Sequence, residues 1–298
     1  MESERSIRQM GEDALVASLL PHMPSNAALT VGPGDDCAVA NPTGDRQLLL
    51  KTDCVVEGLH FLPDTEPELI GRKALARAVS DIGAMGGKPL HALVTLFVHS
   101  SRPVSQIKGI YKGMGELAQQ FGISIAGGES SGLPSDGLII NVALTGEISN
   151  GKAVLRSTAQ AGDLIAVTGI LGGSFPTGHH LTFIPRVQEG QLLATSGIAS
   201  AMMDLSDGLG TDLPRLATAS GLGFRIQEEL LPVRPGFTTA QAIGDGEDYE
   251  LLFTLKPQDR ERALQLAATQ FQGTPITIIG EMTNTTSSTL PPGYKHFN

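Results

Sequence analysis

The chain has 298 residues, 41% of them hydrophobic, and a formal net charge of −10. It has no basic tract and no Trp, which argues against sequence-independent nucleic-acid binding, because that needs a positive surface. No apolar run approaches the ~18 residues of a membrane span, and the opening "MESERSIRQM" has no apolar stretch of signal type, so a cytoplasmic protein of one large or two ordinary domains is expected.

In chain order, 12–20 reads as an amphipathic helix and 27–31 as a strand running into the turn "GPGDD". Residues 46–56 form a strand with a polar end. Apolar residues at Ala74, Leu75, Ala78, Val79, Ile82 and Met85 share one face of a helix over 71–85. A buried strand (91–98), a helix (105–121) stopped by Gly122, and strands at 123–128 and 137–148 follow. Polarity rises over 149–162, which sets a boundary between an N-terminal unit, 1–148, and a C-terminal unit, 149–298. The second unit reads as a strand (163–169), a Gly/Ser loop, a helix near 187–199, and a loop running into a helix over 204–221. A turn into a strand (245–255), a helix (258–271) and a strand (276–281) complete it. Strict βαβ alternation is missing, so the fold class is α+β.

Carboxylates recur at strand ends, beside glycines, or in apolar stretches: Asp36, Asp53, Asp81, Glu129, Asp204 and Asp207. Any one of them suits a turn or a cap. Asp81 is unusual, because Asp is a poor helix former and is rarely buried without a partner. Six together, without Cys or His, suit a hard cation such as Mg²⁺. Cys37 and Cys54 have neither CxxC nor nearby-His spacing, so neither a disulfide nor zinc is expected. The pair His179-His180 reads as a polar loop rather than as ligands. No GxxxxGK[ST], strand-linked GxGxxG, kinase HRD/DFG set or GxSxG occurs. A phosphate-handling role would then rest on carboxylate-held metal and on backbone N–H groups at Gly-rich turns, with 126–132 and 168–174 as candidates.

The ordered motifs "GDDCAV", "TDCVVEGLHF", "KALARAVSDIGAMG", "GGESSG", "LRSTAQAGDLIAVTGILGGS", "HLTFIPRV", "MMDLSDGLGTDL", "GDGEDYELLFT" and "GYKHF" resemble the thiamine-monophosphate kinase family. That family lies within the aminoimidazole-ribonucleotide-synthetase-like superfamily. The resemblance spans roughly residues 11–297. It implies ATP-dependent phosphorylation of thiamine monophosphate, with ATP as co-substrate and several Mg²⁺ ions. It also implies a homodimer whose N-terminal ATP- and metal-binding halves join their sheets, the C-terminal halves completing the cleft. By motif, the metal ligands would be Asp36, Thr52, Asp53, Asp81, Asp204 and Asp207, with Glu129 at a further position. Gly128 and Glu129 of "GGESS", Arg156, Ser206 and Tyr111 would contact ATP. His60, Glu247 and Tyr294 would contact the thiamine substrate.

The chain departs from that pattern in several places. Lys51 replaces a small hydroxyl residue, Glu129 an Asp, and Ala78 an Asn, and the stretch 232–245 is short. Lys51 would supply positive charge in place of one bound cation. Glu129, one methylene longer than Asp, would ligate from a displaced backbone or through water. The readings that compete are another ATP-dependent enzyme of the superfamily and a non-catalytic nucleotide-binding homologue.

Overall fold

The computed structural model describes residues 9, 12–41, 44–271, 273–285 and 290–294. Strands β1 (Leu29–Val31), β2 (Ala38–Ala40), β3 (Arg46–Val56), β4 (Lys88–Val98), β5 (Ser124–Gly132) and β6 (Leu138–Ser149) make one sheet, ordered β1-β2-β3-β6-β4-β5. Its pairs are antiparallel except β4–β5. Strands β7 (Leu164–Thr168), β8 (Ala199–Asp204), β9 (Gly223–Ile226), β10 (Leu251–Leu255) and β11 (Ile276–Thr283) make a second, antiparallel sheet, ordered β8-β10-β7-β11-β9. The mixed helix and sheet content is the α+β class.

The period of two along β3 decides what each face meets. Leu49 and Val55 are fully buried against the helix Pro67–Ala84, and Lys51 and Asp53 share their side of the strand. Leu50 and Thr52 point to the other, open face, where Leu50 is 39% and Leu93 of β4 is 53% exposed.

The helix Pro67–Ala84 is buried nearly all round, because it touches both halves: β3, β6 and the helix Val104–Phe121 on one side, β8 and the helix Val187–Thr195 on the other. It crosses the last of these so closely that a Cβ on Gly190 would lie 2.0 Å from the Gly83 carbonyl oxygen. This central position carries Asp81 to the junction of the halves.

Several elements differ from the sequence reading. Residues 126–132 are not a Gly-rich turn but part of edge strand β5, exposed along almost its whole length. Strand β8 was not expected, since "ASAMMD" has no β-branched residue or alternation, yet Ala201 to Asp204 are fully enclosed between β10 and the helix Pro67–Ala84. The helix Glu12–Leu19 forms but buries none of its residues.

Candidate active site

Three carboxylates converge from three elements. Asp36 comes from the turn after β1, Asp81 from the end of the helix Pro67–Ala84, and Asp204 from the end of β8. All three are buried, with ligand oxygens within 4.8 Å of one another. Like charges this close repel, and each is partly answered by a neighbour. Arg156 forks onto Asp36, with Nη2 2.7 Å from Oδ1 and Nε 3.3 Å from Oδ2. Lys51 Nζ donates to Asp81 Oδ1 at 2.8 Å. Ser80 Oγ donates to Asp204 Oδ2 at 2.5 Å. The compensation is incomplete. Burial and Asp36 push Asp204 up to about 7, and burial, against the pull of Lys51, pushes Asp81 well above the carboxylate range. A cluster short of positive charge, made of hard oxygen donors, fits a divalent cation.

Asp35 has a different task. It accepts the backbone N–H groups of Asp36 and Arg156, both at 3.0 Å, and so fixes the turn. Burial and the Asp36 charge raise it to about 6.

A cavity of about 520 Å³ opens between the halves, lined among others by His60, Ser206, Asp207, Glu247 and Tyr294. The segment 205–208 and the segment 245–249 hold each other through backbone bonds. Glu247 N–H donates to Ser206 O (2.7 Å) and Tyr249 N–H to Leu205 O (2.8 Å). Tyr294 N–H reaches Asp207 O (2.9 Å), which brings the C-terminal segment over the cavity. Asp207 pairs with Arg215 and donates its N–H to Asp212 (2.9 Å). His60 accepts the Val56 N–H through Nδ1 at 3.0 Å.

Side chains that the sequence reading did not single out hold this wall. Lys73, fully buried, reaches both Glu247 carboxylate oxygens (2.8 and 2.7 Å) and the His60 carbonyl (2.5 Å). Burial lowers its pKa to about 8, with Glu247 opposing the shift. Arg77 donates to the Cys54 carbonyl (2.9 Å) and pairs with Asp53 (3.2 Å). Lys73, Arg77 and Asp81 are spaced i, i+4, i+8 on a helix otherwise rich in Ala. That spacing puts them on one face and was the available signal.

Other expected residues stay apart from this centre. Thr52 lies on the open face of the sheet, its hydroxyl donating to Asn141 (3.1 Å), because strand alternation turns it away from Asp53. Glu129 is opposite Thr95 on edge strand β5, three strands across from Cys54. With Tyr111 and Gly128 it lines a separate groove. Its side chain accepts the Ser130 N–H at 3.0 Å. His179-His180 is not a surface loop. His180 is buried in a short helix, stacked on Phe175 at 4.3 Å between centroids.

Two family models match the chain, described as the AIR synthase related protein N-terminal domain, over residues 34–148, and C-terminal domain, over 132–291. A thiamine-monophosphate kinase of Bacillus subtilis (strain 168) is 34% identical over 97% of this chain and 100% of its own length. One of Salmonella typhimurium is 34% identical over 91% of this chain and 90% of its own. The solved structure of AaThiL complexed with AMPPCP and TMP matches with a TM-score of 0.84 at 28% identity, covering 99% of this chain and 100% of that one.

Proposed function

The chain belongs to the AIR synthase related protein family, and on that premise we propose that it is an ATP-dependent thiamine-monophosphate kinase. It transfers the γ-phosphoryl group of ATP to a phosphate oxygen of thiamine monophosphate and releases ADP and thiamine diphosphate. The single observation that carries this reading is a buried carboxylate cluster, Asp36, Asp81 and Asp204, whose chain neighbours Arg77, one helical turn before Asp81, and Ser206, two residues after Asp204, line a cavity together with Asp207, Glu247 and Tyr294.

The residues that would hold Mg²⁺ are Asp36, Asp81 and Asp204, with Asp53 and Asp207 beside them. The bound ions would supply neutralisation of two phosphate groups that otherwise repel. The chain's own residues do the rest. Glu247, pinned by Lys73, offers a fixed acceptor for an aminopyrimidine N–H. Tyr294 presents an aromatic face to the thiazolium or pyrimidine ring. Arg156 has the fork to take phosphate oxygens when nucleotide competes with Asp36.

Lys51 supports a smaller number of metal ions. It stands 2.8 Å from Asp81, and Asp81 with Asp53 keeps it protonated against burial, so one positive charge of the cluster is part of the chain. A homodimer belongs to the same proposal. The open face of the first sheet exposes Leu50 and Leu93, and edge strand β5 is exposed beside it. We assign the nucleotide contacts of Tyr111, Gly128 and Glu129 to a site completed by pairing of these faces. No described helix is long and apolar enough to cross a membrane. A cytoplasmic setting, where ATP and Mg²⁺ are available, completes the reading.

The test is incubation with ATP, Mg²⁺ and thiamine monophosphate, with free thiamine as control acceptor. Thiamine diphosphate should form only from the monophosphate. No product, or phosphorylation of free thiamine instead, would overturn the assignment.

A further inference from the structure

Two buried donors of residues that line the cavity have no hydrogen-bond partner among the described residues. They are Arg77 Nε and Tyr249 Oη, both buried, and both residues line the same cavity. An orphaned buried donor is expensive to maintain, more so on a charged group, and calls for an explanation.

Both groups are held in place by other contacts. The Arg77 guanidinium is fixed by Nη1 on the Cys54 carbonyl and Nη2 on Asp53. The Tyr249 ring is stacked on Phe183, 4.0 Å between centroids and 14° from parallel. Tyr249 also keeps a backbone φ of 51°, a left-handed value that a non-glycine residue adopts only under constraint. Both stay protonated. Burial raises the Tyr249 hydroxyl well above its ordinary value, so it stays neutral, and the carboxylates of Asp53 and Glu247 keep Arg77 charged against burial. The pair therefore offers two further donor atoms, one on a cation and one on a neutral phenol, that no described residue accepts from.

Their complement is an anion rich in acceptor oxygens. Asp53, on which Arg77 rests, also acts electrostatically on Asp81 and Lys51, so such an anion would stand beside the carboxylate cluster. We propose that Arg77 and Tyr249 bind the phosphate monoester of the acceptor, and so select thiamine monophosphate over thiamine. This deepens the kinase reading above and rests on it.

The experiment is calorimetric titration with Mg²⁺ but without ATP, so that no turnover occurs, using thiamine monophosphate and free thiamine as the two probes. Wild type should bind the monophosphate more tightly. Arg77→Met should weaken the monophosphate about 10- to 100-fold and leave thiamine unchanged, the range for a lost charge-assisted bond. Arg77→Lys should recover part of the loss. Tyr249→Phe keeps the stacked ring and removes only the hydroxyl. It should weaken the monophosphate alone by about 3- to 10-fold, which keeps the test sound if Arg77→Met fails to fold. Equal losses for both probes would make the pair structural, and no loss for either would remove it from the site. Each result overturns the assignment while the wild type still makes thiamine diphosphate. A wild type that neither binds the monophosphate nor makes the diphosphate overturns the kinase reading as well.

Discussion

Replacing Lys51 separates a resident cation from a metal-filled cluster. Lys51 and Asp81 form a pair at 2.8 Å, with side chains only 22% and 8% exposed. Lys51→Met would leave Asp81 facing Asp36 and Asp204 with no cation of its own. Breaking a buried pair by removing one partner costs about 3–5 kcal/mol. Asp81 is already displaced toward its protonated form, so proton uptake should hold the loss near the lower bound, about 3 kcal/mol. At about 2 °C per kcal/mol for a chain of this size, the melting temperature in chelator should fall by roughly 6 °C. A divalent ion entering the vacated place restores stability by mass action, about 2.7 kcal/mol at a hundredfold excess over its Kd. Mg²⁺ should therefore raise the Tm of the variants by roughly 5 °C more than it raises that of wild type. Lys51→Thr, which adds an oxygen donor, should do so more than Lys51→Met. Equilibrium dialysis with Mn²⁺ and a non-hydrolysable ATP analogue should then find one more ion per chain in Lys51→Thr. Equal metal ratios and unchanged melts in chelator would refute the argument.

Asp53→Asn and Asp207→Asn should each abolish turnover while the chain still folds, with a melt in chelator lowered by several degrees, because each change removes one partner of a largely buried pair, with Arg77 and with Arg215. Near-normal kcat in either would return that residue to a turn-forming role. Tyr294→Ala should raise KM for thiamine monophosphate by a factor equivalent to about 1–2 kcal/mol and spare ATP. Equal losses for both substrates would instead mark the C-terminal segment as structural. The pH dependence has a definite sign. Asp204, raised to about 7 from its ordinary 3.8, favours the protonated, folded state, so its contribution is full below about pH 4 and fades as pH rises through 7. Metal needs the ionised carboxylate. The Mg²⁺-induced rise in Tm should therefore be larger at pH 8 than at pH 5, and a rise that is equal or larger at pH 5 would contradict the cluster chemistry.

The sequence alone determined the class of chemistry. Carboxylates at strand ends and beside glycines, without Cys or His spacing, suited an oxygen-held cation, and phosphate chemistry came from the resemblance that the ordered motifs carry. The strong local periods, such as the apolar stripe over 74–85, located the main helices and most strands, because burial of one face writes itself into spacing. What needed the tertiary structure was which of these residues meet. Asp36, Asp81 and Asp204 are separated by up to 168 residues, yet their carboxylates converge. They do so because the helix Pro67–Ala84 is buried between the halves and β8 ends against it. Adjacent residues can part as readily. Thr52 and Asp53 are neighbours in the chain and lie on opposite faces of β3, a consequence of the strand's period of two that a list of motifs does not carry. Strand β8 and the left-handed Tyr249 had no local signal, since neighbours in space impose both. The counter-charges belong to the same class. Lys51 on Asp81 and Lys73 on Glu247 are partners across 30 and 174 positions, and only packing decides which buried cation answers which carboxylate.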